Sequence, residues 1–155
     1  MRLSRYLRPD LIEPNLTLTE KDQVLDYLAR MARRGLGPDC QADTDTILNA
    51  LRERENVTST GIGNGVAIPH AKVEGLQRMS LVFARSLAGV SFQALDEAPV
   101  QLIFLVIAPP SIVSDYLKLL AAISSFVRSE KNRTALLKAN TPAEIIAAVK
   151  AGETA

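Results

Sequence analysis

From Val100 to Ala108 the chain reads Val-Gln-Leu-Ile-Phe-Leu-Val-Ile-Ala, apolar at every position except Gln101. A strand with one wet face alternates, so this run belongs to a strand covered on both faces. It is far too short to cross a bilayer, which takes about 20 residues. A chain carrying such a strand must supply a packing layer on each side of it. Met79 to Leu87 is the second long strand candidate, and both are expected near the middle of the sheet. With 47% hydrophobic against 23% charged residues, the 155-residue chain can fill one core. The expectation is a single α/β domain over residues 1–155, with its core in about 5–150: a sandwich with a mixed β-sheet flanked by helices.

The helices are legible from spacing and punctuation. Thr19 with Asp22 has the arrangement of a capping box. Val24, Leu25, Leu28, Met31 and Ala32 follow at helical spacing until Gly35 and Gly37-Pro38. A second helix starts near Asp43 or Thr44, buries Ile47, Leu48 and Leu51, and turns charged at Arg52 to Glu55. Later, Ser114 is expected to cap a helix carrying Leu117, Leu120 and Val127, and a short helix follows Ser129. Thr141-Pro142-Ala143-Glu144 opens a last one, with the tail from Ala151 frayed. Between the second helix and the strands, Thr58 to Gly65 is dense in small residues and must be a shaped loop. Val66-Ala67-Ile68 reads as a short strand halted by Pro69, with His70 at or beyond its end.

Charge and rare residues narrow the function. With 18 Lys and Arg against 17 Asp and Glu, the net charge is +1, which gives no electrostatic case for nucleic acid or an anionic membrane surface. The charged start at Arg2, Arg5 and Arg8 is unlike a signal peptide, so the expected location is the cytoplasm, without membrane insertion. One Cys rules out an internal disulfide, and one Cys with one His cannot fill a structural zinc site. Any imidazole chemistry must use His70, the only histidine in the chain.

His70 stands beside a loop built for close backbone approach, and a neutral imidazole near pH 7 is a competent nucleophile. Gly61-x-Gly63-x-Gly65 is not a dinucleotide fingerprint, because a helix precedes it and a strand follows. Two readings stay open for this run: a tight connection, or an anion-binding nest with the Ser59 and Thr60 hydroxyls added. Arg54 leads into the loop, where a guanidinium can pair with phosphate oxygens. Lys72 lies on the other side of it. Cys40 has no activating neighbour and reads as structural.

Arg54-Glu55, the run Ser59-Thr60-Gly61-Ile62-Gly63-Asn64-Gly65-Val66-Ala67-Ile68-Pro69-His70, and Lys72 together resemble the IIA domains of the bacterial phosphoenolpyruvate-dependent phosphotransferase system, PTS. The similarity is to the fructose/mannitol class, nearest to the stand-alone nitrogen-regulatory IIA proteins, and extends to Val149. It implies that His70 accepts a phosphoryl group from an HPr-like phosphocarrier protein and passes it on, with Arg54 beside it and no metal or other cofactor. Ser59, Thr60, Gly61, Gly63 and Asn64 are the expected phosphate-binding residues, assisted by a helix N-terminus near Ser114.

One departure from the family pattern is visible. Members commonly carry a second histidine in a His-Leu-x-x-Leu segment, which here reads Tyr116-Leu117-Lys118-Leu119-Leu120. The Tyr116 hydroxyl can donate to phosphate but does not become cationic near neutrality. The functional expectation is a phosphoryl carrier acting mainly as a regulator on a target protein, since no IIB or permease segment accompanies it. The alternatives are a sugar-transport IIA feeding a IIB component, and a binding module that has lost transfer.

Overall fold

A computed structural model of the chain describes residues 1–154. Two 3-10 turns, Leu3–Tyr6 and Pro9–Leu11, lead into β1 (Ile12–Glu13). Helices α1 (Lys21–Leu36) and α2 (Thr44–Val57) follow. Next come β2 (Gly61–Gly63), β3 (Val66–Ala67), β4 (His70–Lys72), β5 (Ser80–Val90) and β6 (Val100–Ala108). Three helices close the chain: α3 (Ser114–Val127), α4 (Glu130–Lys138) and α5 (Pro142–Thr154). Among the described residues no helix is long and apolar enough to cross a membrane.

The six-stranded mixed sheet runs β1-β5-β6-β3-β2, with β4 also paired to β6. As expected, β6 is covered on both faces. Ile103, Leu105 and Ile107 pack with α1 and α2, whereas Leu102, Phe104 and Val106 pack with α3 to α5. β5 runs antiparallel to β6 and extends to Val90, past the expected Leu87, through an irregularity after Arg85.

Several local expectations are corrected. The first helix begins at Lys21 behind Glu20, with no side-chain cap. Thr19 and Glu20 are instead drawn into extended pairing with Ser91, which delays the helix past the Thr19–Asp22 box. Ser114 is the first residue of α3 rather than its cap, because the Leu117 amide already bonds the Val113 carbonyl. Ala151 to Thr154 remain helical. Glu153 accepts from the Ser4 amide at 2.6 Å and the Ser4 hydroxyl at 2.8 Å, which ties the end of α5 to the start of the chain. Thr141 caps its helix as expected, and Asp43 and Ser129 cap theirs as well, each accepting a first-turn amide.

The short strand before Pro69 stops, as expected, at Ala67, and pairing with β6 resumes at His70 as β4. Ala67 stands opposite Ile103 and His70 opposite Val106, so the parallel register is unchanged across the proline. The Pro69 carbonyl still accepts from the Val106 amide at 2.9 Å. The ladder is interrupted only because proline has no N–H to donate.

Arg85 is a buried guanidinium whose recorded partners are backbone carbonyls. It donates to Pro14 at 3.0 Å and to Leu136, Leu137 and Ala139 at the end of α4, where carbonyls lack intrahelical partners. Arg85→Met is expected to cost about 2–4 kcal/mol in urea unfolding, because these buried acceptors lose a charged donor. A loss below about 1 kcal/mol would show that water replaces the guanidinium there.

Candidate functional site around His70

His70 opens β4, an edge segment bonded only to β6. Alternation along β4 turns Ala71 into the α1–α2 core and sends His70 and Lys72 to the α3 face. His70 is half-buried, and its Nδ1 lies 2.6 Å from the Ile68 carbonyl oxygen. A carbonyl can only accept, so Nδ1 carries the proton and Nε2 keeps its lone pair.

Two other expected residues converge on this ring. The Tyr116 ring, in the first turn of α3, lies 6.2 Å from the His70 ring. Arg54, in the last turn of α2, donates to the Thr58 carbonyl at 2.9 Å, and its charge is felt by both His70 and Tyr116. Burial pushes the Tyr116 phenol up to about 12, so it stays neutral at any physiological pH. Among the described residues nothing hydrogen-bonds to its hydroxyl.

The small-residue run is not an open nest. Gly61–Gly63 is a strand, and Asn64 and Gly65, with φ of 58° and 76°, make the tight turn back into β3. The donors named from sequence are engaged within the chain. The Ser59 hydroxyl donates to the Phe92 carbonyl at 2.9 Å and accepts from the Gly61 amide at 3.1 Å. Thr60 gives both its amide and its hydroxyl to Glu55. The Asn64 amide donates to Asp96 at 3.1 Å. Gly61 is needed for another reason: a Cβ there would meet Ala94 at 2.7 Å.

Glu55 is the residue that sequence reasoning passed over. It is a buried carboxylate, held by Lys21 at 2.9 Å as well as by Thr60. Its charge works against that of Arg54 at His70. The only sequence signal was its place beside Arg54, five residues before Thr60, on a helix end that otherwise reads as solvated. Cys40 is buried, with its thiol donating to the Ala42 carbonyl. Among the described residues no group of three or more His, Cys, Asp or Glu side chains converges as metal ligands would.

Residues 5–152 match the family model for the phosphoenolpyruvate-dependent sugar phosphotransferase system, EIIA 2. The chain belongs to this family. A nitrogen regulatory protein of Bradyrhizobium diazoefficiens is 34% identical over 151 residues, 97% of this chain and 95% of that protein. The fructose-specific EIIA component of Haloferax volcanii is 39% identical over 99 residues, 64% of each chain. The alignment with the fructose-specific EIIABC component of Bacillus subtilis covers 94% of this chain but only 22% of that longer protein. The chain therefore spans less than two thirds of the length of these last two relatives. The fold matches the nitrogen regulatory protein IIA-Ntr of Neisseria meningitidis with a TM-score of 0.86, at 24% identity over 95% of this chain and 98% of that one.

For this IIA domain the protonation state of His70 is set by opposing causes. Burial lowers its pKa most. The hydrogen bond to Ile68 raises it, the Arg54 charge lowers it, and Glu55 raises it, with a net value below the ordinary 6.5. A depressed folded-state pKa contributes stability that is present above 6.5 and is lost as the pH falls through the folded value. An NMR titration of the His70 ring is expected to show a midpoint below 6.5, and Arg54→Ala should raise it. A midpoint at or above 6.5 in the native protein would contradict the dominance of burial.

Proposed function

We propose that this IIA domain is a phosphoryl carrier that accepts phosphate on Nε2 of His70 and acts mainly as a regulator. The observation that carries the reading is the hydrogen bond from Nδ1 of His70 to Ile68, which leaves Nε2 as the nucleophile beside Arg54 and Tyr116. In the transfer, a bond forms between Nε2 and phosphorus while the N–P bond of the donor's phosphohistidine breaks, its electron pair returning to the donor nitrogen. The Nδ1 proton stays on His70, and the Ile68 carbonyl steadies the positive charge that the ring gains. Positioning and charge compensation are what this chemistry asks of a protein. Arg54 and the Tyr116 hydroxyl are the donors for the phosphoryl oxygens. Ser59, Thr60, Gly61, Gly63 and Asn64 act by shaping the hairpin that leads the chain to His70.

The donor in this reading is an HPr-like phosphocarrier, and regulation follows from a change of partner when about −1.5 to −2 charges arrive at the surface. Similarity to nitrogen regulatory proteins along nearly the whole chain supports the regulatory role. The Haloferax relative favours a second reading, sugar transport with a IIB acceptor. A mannitol IIA of the same fold has been solved in complex with phosphorylated IIB.

Incubation with phosphoenolpyruvate, the first enzyme of the system and its carrier should place an acid-labile phosphate on His70. His70→Ala should take none. Arg54→Ala should slow labelling by about 10- to 1000-fold without unfolding the chain. Equal labelling of the His70→Ala protein would exclude the mechanism. Transfer of the label to a IIB protein would move the role toward transport.

A further inference from the structure

A phosphoryl group on His70 brings about −1.5 to −2 charge to the α3 face of β4. Arg54 offsets part of it. Tyr116 stays a neutral phenol, and Lys21 is already paired with Glu55. With only these groups, the phosphorylated site keeps a net negative charge next to a partly desolvated ring.

Lys72 is the one further cation that β4 directs to this face. It lies two residues past His70, so its side chain leaves the strand on the same side, whereas Ala71 between them is in the opposite core. Its Nζ sits 5.8 Å from the centroid of the Tyr116 ring, the ring that also faces His70. The side chain is exposed and, among the described residues, has no ion pair or hydrogen bond. Three other cations are held elsewhere: Lys21 by Glu55, Arg52 by Asp22, and Arg85 by backbone carbonyls. The attraction of an ammonium to a tyrosine face is weak at an exposed site, and a charge-assisted hydrogen bond to a phosphoryl oxygen is stronger. The ring therefore holds Lys72 in reach without competing for it once phosphate arrives.

We infer that Lys72 is the second cationic partner of the phosphoryl group on His70, parked on the face of Tyr116 in the unphosphorylated protein and turned onto a phosphoryl oxygen after transfer. The inference rests on the phosphoryl-carrier reading of His70. It divides the work at the site: Tyr116 contributes a neutral donor and a resting place, and the charge comes from Arg54 and Lys72.

The test must separate charge compensation from docking of a protein donor. The wild type, K72M and K72R are phosphorylated with phosphoramidate, whose P–N bond breaks as the bond to Nε2 forms and ammonia leaves. The phosphoryl group is then titrated by 31P NMR. A cation in contact favours the dianion, so K72M should raise the phosphoryl pKa by about half to one unit, with K72R at the wild-type value. The same difference should slow phosphorylation of K72M by about 3- to 10-fold. Coincident titrations of wild type and K72M overturn the inference, and so does a K72R curve that follows K72M. A wild-type protein that forms no phosphohistidine with this reagent or with its protein donor removes the carrier reading itself, a result distinct from an unshifted titration.

Discussion

The burial of β6 on both faces governs the arrangement of everything around it. A strand without water on either side must have its amides and carbonyls paired along both edges. β5 supplies one edge through a long antiparallel ladder. The other edge is shared by β3 and β4 in one continuous register. Pro69 removes a donor from that second ladder, and the strand resumes because its carbonyl and the residues beyond it still bond to β6. His70 is thereby fixed at a sheet edge, on the carboxyl side of parallel strands, where open α/β sheets commonly place ligands. The Ile68 carbonyl beside it points away from β6, since the Ile68 amide bonds to Thr60 on the hairpin side. The imidazole satisfies that carbonyl and is oriented by doing so.

The field at His70 comes from the end of one helix. Arg54 and Glu55 are consecutive residues of α2, yet one reaches the surface and the other is buried with Lys21 and Thr60. Their effects on the imidazole oppose each other, and desolvation decides the outcome. The buried carboxylate also consumes the Thr60 amide and hydroxyl, which sequence had offered to phosphate. Burying an acid is costly unless it is paired and fully hydrogen-bonded. Lys21 and Thr60 meet that demand and, in the same contacts, lock the start of the hairpin to α2.

What sequence could show follows from where periodicity and rare residues carry information. The two-sided strand, the second helix, the Thr141 cap and the solitary histidine are local patterns, and the structure places them as read. The misplaced start of α1 was decided by Ser91, distant in sequence. Residues 151–154 stay helical because of Ser4, at the other end of the chain. At the site, Arg54 was legible from its place before the loop and Tyr116 as a departure from the family pattern; the Tyr116 ring lies 6.2 Å from His70, and the Arg54 charge acts on it. The engagement of Ser59 and Asn64 could not be seen, because their partners Phe92 and Asp96 lie on the distant 91–99 connection, and that of Thr60 because Glu55 sits on a helix end that reads as solvated.

That engagement has a consequence for how the site works. A nest of free amides would bind phosphate rigidly and in a recess. In the carrier reading, the groups left to meet charge are side chains from separate elements: Arg54 from α2, Tyr116 from α3, and Lys72 from β4 itself. They surround an imidazole at an edge rather than enclose it. Exposed Val113 and Leu117 flank Tyr116 at the start of α3, so apolar side chains stand beside the ring that neighbours His70. In the carrier reading, phosphorylation leaves that apolar surface in place and changes the charge next to it. A partner selected by shape and hydrophobic contact is then accepted or refused by electrostatics alone, which a protein can reverse without refolding any element.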